Sequence, residues 1–291
     1  MDIHGREIID CPLNKDCNWQ FLYKSEFNSY DLPIHKCNTC KLQAIHPREK
    51  INFKEMYSEK YYTGKSEYSY KDERRTEKYD SYVWDARIKN IKKFIKNGNF
   101  LDVGCSFGGL LSRAKQAGFN PYGVEVSEFS SEFTRKKGIP VFTGNFIDCE
   151  YEENFFDVIT MIEVIEHLEN PSKVFDKLYS LVKPGGLVVI QTANFDGLQA
   201  KEEGKNYHYY LPGHLYYYSD SNLTNFLKER GFSKFNVYYG VDFPLYAKLL
   251  KSRGSFDSIK DYWKWVRIAK YHMKSKLYPK STSSMVLYAF K

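Results

Sequence analysis

Long hydrophobic runs are missing from this sequence. No apolar stretch approaches the roughly 18 residues of a membrane-spanning helix, and residues 1–6 contain no apolar signal core. The composition is not that of a disordered chain either, because 42% of the 291 residues are hydrophobic and 27% are charged. We therefore expect a cytoplasmic globular protein without a transmembrane segment, large enough for one full α/β domain and a smaller appendage.

Cysteines are few, and four of the six lie in the first fifty residues. In a cytoplasmic chain they indicate thiols or metal ligands before disulfides. Cys37-Asn-Thr-Cys40 is a CxxC knuckle of the kind that holds zinc, and Cys11 and Cys17 are candidates for two further ligands. A module without metal is the main alternative, and a redox pair is the weaker one.

The sequence predicts three parts. Residues 1–50 form a small zinc-ribbon-like module, and residues 51–96, rich in Tyr, Lys and Glu, form a helical lead-in. Residues 97–291 alternate short apolar strands with amphipathic helices, which favours a mostly parallel sheet with helices on both faces. The predicted strands are Phe100–Val103, Tyr122–Val126, Val141–Phe142, Phe155–Met161, Leu187–Thr192, Phe235–Tyr239 and Met285–Phe290.

The net charge of +7 is concentrated in one segment, a basic and aromatic insert at residues 241–281. Between Leu245 and Lys280, ten basic residues against two acidic ones leave a local charge of +8. A local basic excess suits an anionic partner. The insert is interpreted as a grip for a substrate phosphate, as an RNA-binding surface with Trp263 and Trp265 interleaved, or as the solvated face of a surface helix.

A glycine-rich turn follows the first strand of the main domain. Small residues between Gly104 and Gly109 let a ligand approach the backbone at the carboxyl end of the strand. Asp102, just before the turn, would repel a pyrophosphate but suits an ammonium group. Glu125 ends the next strand, 21 residues after Gly104, where a carboxylate accepts both ribose hydroxyls. Together they predict a site for a nucleoside that carries an ammonium group.

Five motifs in this order resemble the class I S-adenosylmethionine-dependent methyltransferases. They are Leu101-Asp-Val-Gly-Cys-Ser-Phe-Gly-Gly, Tyr122-Gly-Val-Glu, Phe156-Asp-Val-Ile, Glu163-Val-Ile-Glu-His-Leu and Leu181-Val-Lys-Pro-Gly-Gly. The chain looks most like the branch with quinone-biosynthesis O-methyltransferases and surface-glycan sugar methyltransferases. The resemblance covers about residues 85–240 and implies a Rossmann-like sheet of seven strands, the last antiparallel. The cofactor-binding residues it implies are Asp102, Gly104, Cys105, Ser106, Gly108, Glu125, Asn145, Phe146 and Ile162.

Three departures from the family pattern carry specific expectations. Ser106 replaces the usual middle glycine of the turn and is accommodated if its backbone angles are ordinary. Asn145 replaces an acidic residue that the family often has near the adenine. Its side chain is still expected to accept a hydrogen bond from the adenine amino group, and Phe146 is expected to pack on the adenine ring. Related enzymes often begin with a ribbon of two CxxC pairs, whereas here Asn14 stands at the expected second cysteine and Cys17 follows three residues later.

Catalytic residues are expected just past the fourth strand, because methyl transfer needs acceptor alignment and removal of a proton. If the segment is helical, Glu163, Glu166 and His167 share one face. Three roles stay open: a Glu-supported His base, a divalent metal site as the quinone branch implies, or structural capping. The resemblance also places His214 at the acceptor pocket. Nearby tyrosines are expected to stack on the acceptor or to pack a lid, namely Tyr207, Tyr209, Tyr210, Tyr216, Tyr217 and Tyr218.

The sequence thus predicts an S-adenosylmethionine-dependent O-methyltransferase that acts on a sugar, a sugar nucleotide or another small polar metabolite in glycan (carbohydrate) biosynthesis. Two alternatives are kept. One is an RNA methyltransferase or RNA-binding protein that uses the basic insert, and the other is a catalytically silent scaffold that binds the cofactor. A structural zinc and a divalent metal at Glu163, Glu166 and His167 are the possible metals.

Overall fold

The described residues form two β-sheets. The computed structural model describes residues 6–13, 18–26, 32–63, 65 and 72–291. The larger sheet has the strand order β10-β11-β8-β7-β4-β5-β6, and the smaller has the order β1-β2-β3-β9.

The larger sheet confirms the predicted architecture of seven mostly parallel strands. β4 to β8 pair in parallel, whereas β11 is antiparallel to both of its neighbours. Two hydrophobic clusters cover its faces, as expected for strands buried on both sides. The strands are β4 Gly98–Val103, β5 Phe119–Glu125, β6 Val141–Thr143, β7 Phe156–Ile162, β8 Val182–Ala193, β10 Lys234–Tyr239 and β11 Ser284–Phe290.

The helices between these strands begin and end at recognisable sequence signals. At the start of α8, the Ser219 side chain and Asn222 form a reciprocal capping box, which satisfies backbone donors of the first turn. At the start of α6, the Asn170 side chain accepts from the Lys173 amide, and Pro171 takes the first turn. These helices are α4 Gly109–Gln116, α5 Glu128–Lys136, α6 Pro171–Leu181, α7 Leu198–Glu203 and α8 Asp220–Lys228.

The smaller sheet joins the N-terminal residues to the main domain. It consists of β1 Trp19–Ser25, β2 Leu32–Cys37, β3 Gln43–Ile45 and β9 Tyr216–Tyr217. β9 pairs with β3 in antiparallel fashion, so a strand from the second half of the chain completes the N-terminal sheet. The division of the chain at residues 50 and 96 stays a prediction.

In the described part of residues 51–97, three helices precede the first strand of the larger sheet, α1 Phe53–Met56, α2 Glu59–Tyr62 and α3 Glu73–Ile91. The insert after β10 contains α9 Leu245–Ser252 and α10 Trp263–Leu277, and α3 packs against α9. A buried ion pair ties the two regions together, because Arg87 Nη2 lies 2.9 Å from Asp242 Oδ1. No helix in the described part of the chain is long and apolar enough to cross a membrane.

Candidate active site

A cavity of about 380 Å³ lies at the carboxyl ends of β4, β5 and β7. This is the edge where open α/β sheets bind ligands. The lead-in helices form the other wall with Phe53, Tyr57, Tyr61, Tyr62 and Trp84. Eight of the nine predicted cofactor-binding residues line the cavity: Asp102, Gly104, Cys105, Ser106, Glu125, Asn145, Phe146 and Ile162. Gly108 is the exception, and it precedes α4, where a side chain would collide with Thr134.

The glycine-rich turn brings its backbone close to neighbouring groups. Gly104 has φ +74°, and a Cβ there would lie 2.5 Å from Val164 Cγ2, so only glycine fits without a shift. The condition of ordinary backbone angles at Ser106 is not met, because its φ is +49°, in the left-handed region. The reason is local: in this conformation the Ser106 amide donates to Glu125 Oε2 at 2.9 Å.

Glu125 is 4% exposed and accepts three hydrogen bonds. The donors are the amides of Ser106 at 2.9 Å and Ser127 at 3.0 Å, and the Tyr62 hydroxyl at 3.2 Å. Burial raises the pKa of this carboxyl, and the three donors oppose the rise. The side chain is therefore fixed at the end of β5 with its carboxylate in the cavity.

Asp102 is the second buried carboxyl of the cavity. It is 5% exposed, and Thr160 Oγ1 donates to its Oδ1 at 2.6 Å. Burial raises the pKa of Asp102 to about 7, and the Thr160 hydroxyl and the charge of Arg87 act in the opposite direction. A cationic ligand beside Asp102 would stabilise its ionised form.

A polar chain crosses the cavity wall from the insert to the end of β7. Arg87 donates to both Asp242 and Gln191, and Gln191 donates to Glu163. The Tyr288 hydroxyl also donates to Asp242, at 2.7 Å. Arg87 and Asp242 carry no signal in the sequence, since they lie 155 positions apart and only the fold brings them together.

The prediction that Glu163, Glu166 and His167 share a helical face is wrong. Glu163 has φ +56°, which is incompatible with a continuing helix, and only a 3-10 turn at Ile165–His167 follows. Glu163 lines the cavity and accepts from Gln191 instead. The group that comes together is Glu166, His167 and His214, which offer ligand atoms within 4.8 Å of one another.

Both histidines of this group are held in a defined tautomer. His167 Nδ1 donates to the Gly213 carbonyl at 2.7 Å, and His214 Nδ1 donates to the Tyr209 carbonyl at 2.9 Å. Their Nε2 atoms therefore remain as acceptors. Burial lowers the pKa of His167 to about 4 and that of His214 to about 3, so both are neutral at pH 7. Neither oxygen of buried Glu166 has a hydrogen-bond partner within the described residues, and burial raises its pKa.

The aromatic wall of the cavity differs from the predicted one. Tyr207, Tyr210, Tyr217 and Tyr218 are at most 1% exposed and Tyr216 is 3% exposed. None of the six predicted tyrosines is among the described cavity-lining residues, so they do not provide the stacking wall. Tyr57, Tyr61 and Tyr62 take that place, and Tyr57 Oη lies 3.2 Å from His167 Nδ1. The only signal for them was the high tyrosine content of residues 51–96.

Three of the four predicted zinc ligands lie together. Cys11 Sγ is 3.8 Å from Cys37 Sγ and 3.5 Å from Cys40 Sγ, and the Cys40 amide donates to Cys37 Sγ. Cys17 and Asn14 lie outside the described residues. Cys37 takes part in a disulfide bond, so it must be reduced before it can be a thiolate ligand.

The sequence profile of a family described as "Methyltransferase domain" matches residues 73–236. The chain belongs to this methyltransferase family. Ubiquinone biosynthesis O-methyltransferases of Hydrogenovibrio crunogenus and Bordetella avium are 34% and 31% identical to it over 118 and 119 residues, 37% of this chain. The chain spans about half the length of these curated relatives, 48% and 47%.

Solved structures share the methyltransferase fold. A SAM-dependent methyltransferase from Archaeoglobus fulgidus has a TM-score of 0.53 at 21% identity, covering 72% of this chain and 94% of that one. Phosphoethanolamine N-methyltransferase 2 of Haemonchus contortus, in complex with S-adenosyl-L-methionine, has a TM-score of 0.56 at 18% identity, covering 86% and 62%. The family match includes the glycine-rich turn, Glu125 and His167 of this chain.

Proposed function

We propose that this methyltransferase uses S-adenosylmethionine to methylate a hydroxyl group of a small polar acceptor. The observation that carries the proposal is the pair of buried carboxyls, Asp102 and Glu125, that flank the glycine-rich turn in one cavity. A buried carboxylate is unfavourable unless a cation or hydrogen-bond donors accompany it. S-adenosylmethionine offers an ammonium group for one carboxylate and two ribose hydroxyls for the other.

The residues of the cavity fit the parts of this cofactor. Glu125 would accept from the ribose hydroxyls and Asp102 from the ammonium group. Asn145 and Phe146, which follow β6, would bind the adenine amino group and pack on the ring. The close approach at Gly104 leaves the backbone open to the ligand. When bound, the cofactor supplies a methyl group on a positively charged sulfur.

His167 is the proposed proton acceptor. It lines the cavity, it is neutral at pH 7, and its Nδ1 is occupied by the Gly213 carbonyl, so Nε2 is the atom that takes the proton. A proton on Nε2 places a positive charge in the group that contains Glu166, whose carboxyl in its ionised form would stabilise that charge.

A divalent cation held by the same group is the second candidate. The buried Glu166 oxygens lack hydrogen-bond partners within the described residues, and both histidines are neutral with Nε2 as the acceptor. Neutral imidazole nitrogen and carboxylate oxygen are ligands that divalent metals accept. A cation there would lower the pKa of an acceptor hydroxyl. If a chelator abolishes methyl transfer and added Mg²⁺ or Mn²⁺ restores it, this candidate is favoured over an unassisted base.

The aromatic wall of the cavity supports the proposed acceptor class. Phe53, Tyr57 and Tyr61 line the cavity, and Tyr57 contacts His167, so aromatic rings are available to pack on the apolar face of a sugar or on a phenol ring. We propose that the acceptor is a sugar or sugar nucleotide in glycan biosynthesis. A phenol is the alternative acceptor to test beside it, because the curated relatives are named as ubiquinone biosynthesis enzymes.

The experiment is transfer of labelled methyl from S-adenosylmethionine to separate pools of nucleotide sugars, catechols and RNA. We expect incorporation into the sugar pool that falls about 10²-fold or more in His167→Ala. The matched control is His208→Ala, because His208 pairs with Glu203 and is not part of the cavity. Cofactor binding without incorporation into any pool would support the silent scaffold instead, and equal loss in both variants would remove His167 from the proton-transfer role.

We also propose that the reduced chain holds zinc with Cys11, Cys37, Cys40 and the predicted fourth ligand Cys17. The sulfur separations of 3.5 and 3.8 Å suit a tetrahedral thiolate site. Metal analysis of the reduced protein should give about one zinc per chain, lost in Cys40→Ala but kept in Cys149→Ala, which changes a cysteine outside the module. Zinc retained in Cys40→Ala would contradict this site.

A further inference from the structure

The outer face of α10 carries an exposed apolar stripe. It is formed by Ile259, Trp263, Val266, Met273 and Leu277, which are 85%, 75%, 42%, 53% and 71% exposed. From Trp263 onward these positions follow the spacing of one helix side, with Lys270 between Val266 and Met273. Single exposed apolar residues are ordinary, but a contiguous group is typical of an interaction surface. We call these five residues the α10 stripe.

The opposite side of α10 fixes the helix to the domain. The Trp265 indole donates to Ser252 Oγ at 2.9 Å, and the Tyr271 hydroxyl accepts from the Ser283 amide at 3.1 Å. Ser275 is buried on this side. Because these contacts hold the helix in place, the packing of the described fold does not explain the apolar character of the stripe.

Exposed cations surround the stripe. Arg267, Lys270 and Lys274 are exposed, and no acidic side chain in the described part of the chain lies within ion-pair distance of them. Three other cations of the insert are paired: Lys251 with Asp80, Lys264 with Asp261, and Lys280 with Asp220. The face therefore combines large apolar side chains with uncompensated positive charge.

We propose that the α10 stripe docks this protein on the surface of an anionic lipid bilayer. An interfacial helix has Trp and aliphatic residues on one side and Lys or Arg flanking them, whose alkyl stems lie along the apolar surface while the charges meet lipid phosphates. The 15 residues of α10 are too few to span a bilayer, so the helix lies in the plane of the surface.

Two other occupants fit the observations less well. A second copy of the chain would bring an identical positive face against this one, which is repulsive. A nucleic acid would be attracted by the cations and would stack on Trp263, but it offers no apolar layer for Ile259, Val266, Met273 and Leu277. Of these three occupants, the bilayer accounts for the charge and the aliphatic side chains together.

The test is co-sedimentation of the full chain with vesicles of phosphatidylcholine alone or with a third of the lipid as phosphatidylglycerol. We expect binding to the anionic vesicles only. Leu277→Ser should weaken vesicle binding about tenfold, because the Leu277 side chain no longer buries apolar area in the bilayer. Leu198→Ser, the same change at another exposed site, should leave binding unchanged.

Charge reversal gives the second arm. Lys270→Glu with Lys274→Glu should weaken binding to anionic vesicles about tenfold or more, since each cation near such a surface contributes to attraction. Lys89→Glu with Lys93→Glu is the matched control, an exposed pair at the same spacing near the end of α3. All variants are first compared with the parent chain by circular dichroism.

Four outcomes overturn the proposal. Absence of binding to anionic vesicles is the first, and equal loss in the α3 pair and the α10 pair is the second. The third is binding to polyuridylic acid in place of vesicles. If that binding is lost in the Lys270→Glu, Lys274→Glu variant and unchanged in Leu277→Ser, the face belongs to nucleic acid. Concentration-dependent dimers that disappear in Leu277→Ser would assign it to a second copy.

Discussion

Replacing Gly104 by alanine tests how closely the glycine-rich turn is packed. Gly104 has φ +74°, and an added Cβ would meet Val164 Cγ2 at 2.5 Å. Gly185 provides a matched control, because its φ is +77° and nothing lies within 4 Å of the position of its Cβ. The two alanine variants therefore share the backbone strain and differ in the steric collision.

The expected magnitudes follow from this difference. A non-glycine residue in the left-handed region costs about 1–2 kcal/mol, which is the whole effect expected for Gly185→Ala. Overpacking adds about 1–3 kcal/mol, so Gly104→Ala should lower the free energy of unfolding by about 2–5 kcal/mol. Urea denaturation of both variants measures these values. The free energies of unfolding are compared with one common dependence on urea concentration.

A second-site change separates strain from collision. Val164→Ala removes the methyl group that an alanine at position 104 would meet, so it should restore about 1–3 kcal/mol in the Gly104→Ala background. Equal destabilisation by Gly104→Ala and Gly185→Ala, with no effect of Val164→Ala on the difference, would refute the close approach described for this turn.

Two further predictions concern buried charges. The pKa of Asp102 is raised to about 7, so cofactor affinity should rise between pH 6 and 8 as this carboxyl ionises, and Asp102→Asn should flatten the profile measured by calorimetry; a pH-independent wild-type affinity would contradict this. Asp242→Ala should cost about 3–5 kcal/mol in denaturant unfolding, because it leaves Arg87 charged and buried. Asp85→Ala, whose partner Arg113 is on the surface, should cost less than about 1 kcal/mol, and similar losses in both would argue against a special role for burial.

The fold and eight of the residues that line the cavity could be predicted because their signals are local. Asp102 and Gly104 share one strand and turn, and Glu125 ends the next strand, so parallel pairing alone brings them to one edge. The order of strands is a property of the family that the five motifs identify. The positive φ angles of Ser106 and Glu163 could not be predicted, because neither serine nor glutamate is a residue type that commonly adopts them.

The rest of the site depends on long-range packing. Tyr57 reaches His167 across 110 positions, and Tyr62 reaches Glu125 across 63. No periodicity in residues 51–96 indicates which tyrosines face the cavity. The predicted tyrosines after β8 instead fill the core beside the smaller sheet, since β9 pairs with β3 and buries them.

Calorimetric titration of the folded protein with S-adenosylhomocysteine tests the cofactor site most directly. We predict saturable binding at one site per chain, weakened by about 1–3 kcal/mol in Glu125→Ala through the loss of charge-assisted hydrogen bonds. Glu128→Ala, an exposed acid three residues later, serves as the control and should bind as the parent chain does. Absence of heat and saturation with well-folded protein, or unchanged affinity in Glu125→Ala, would contradict the account.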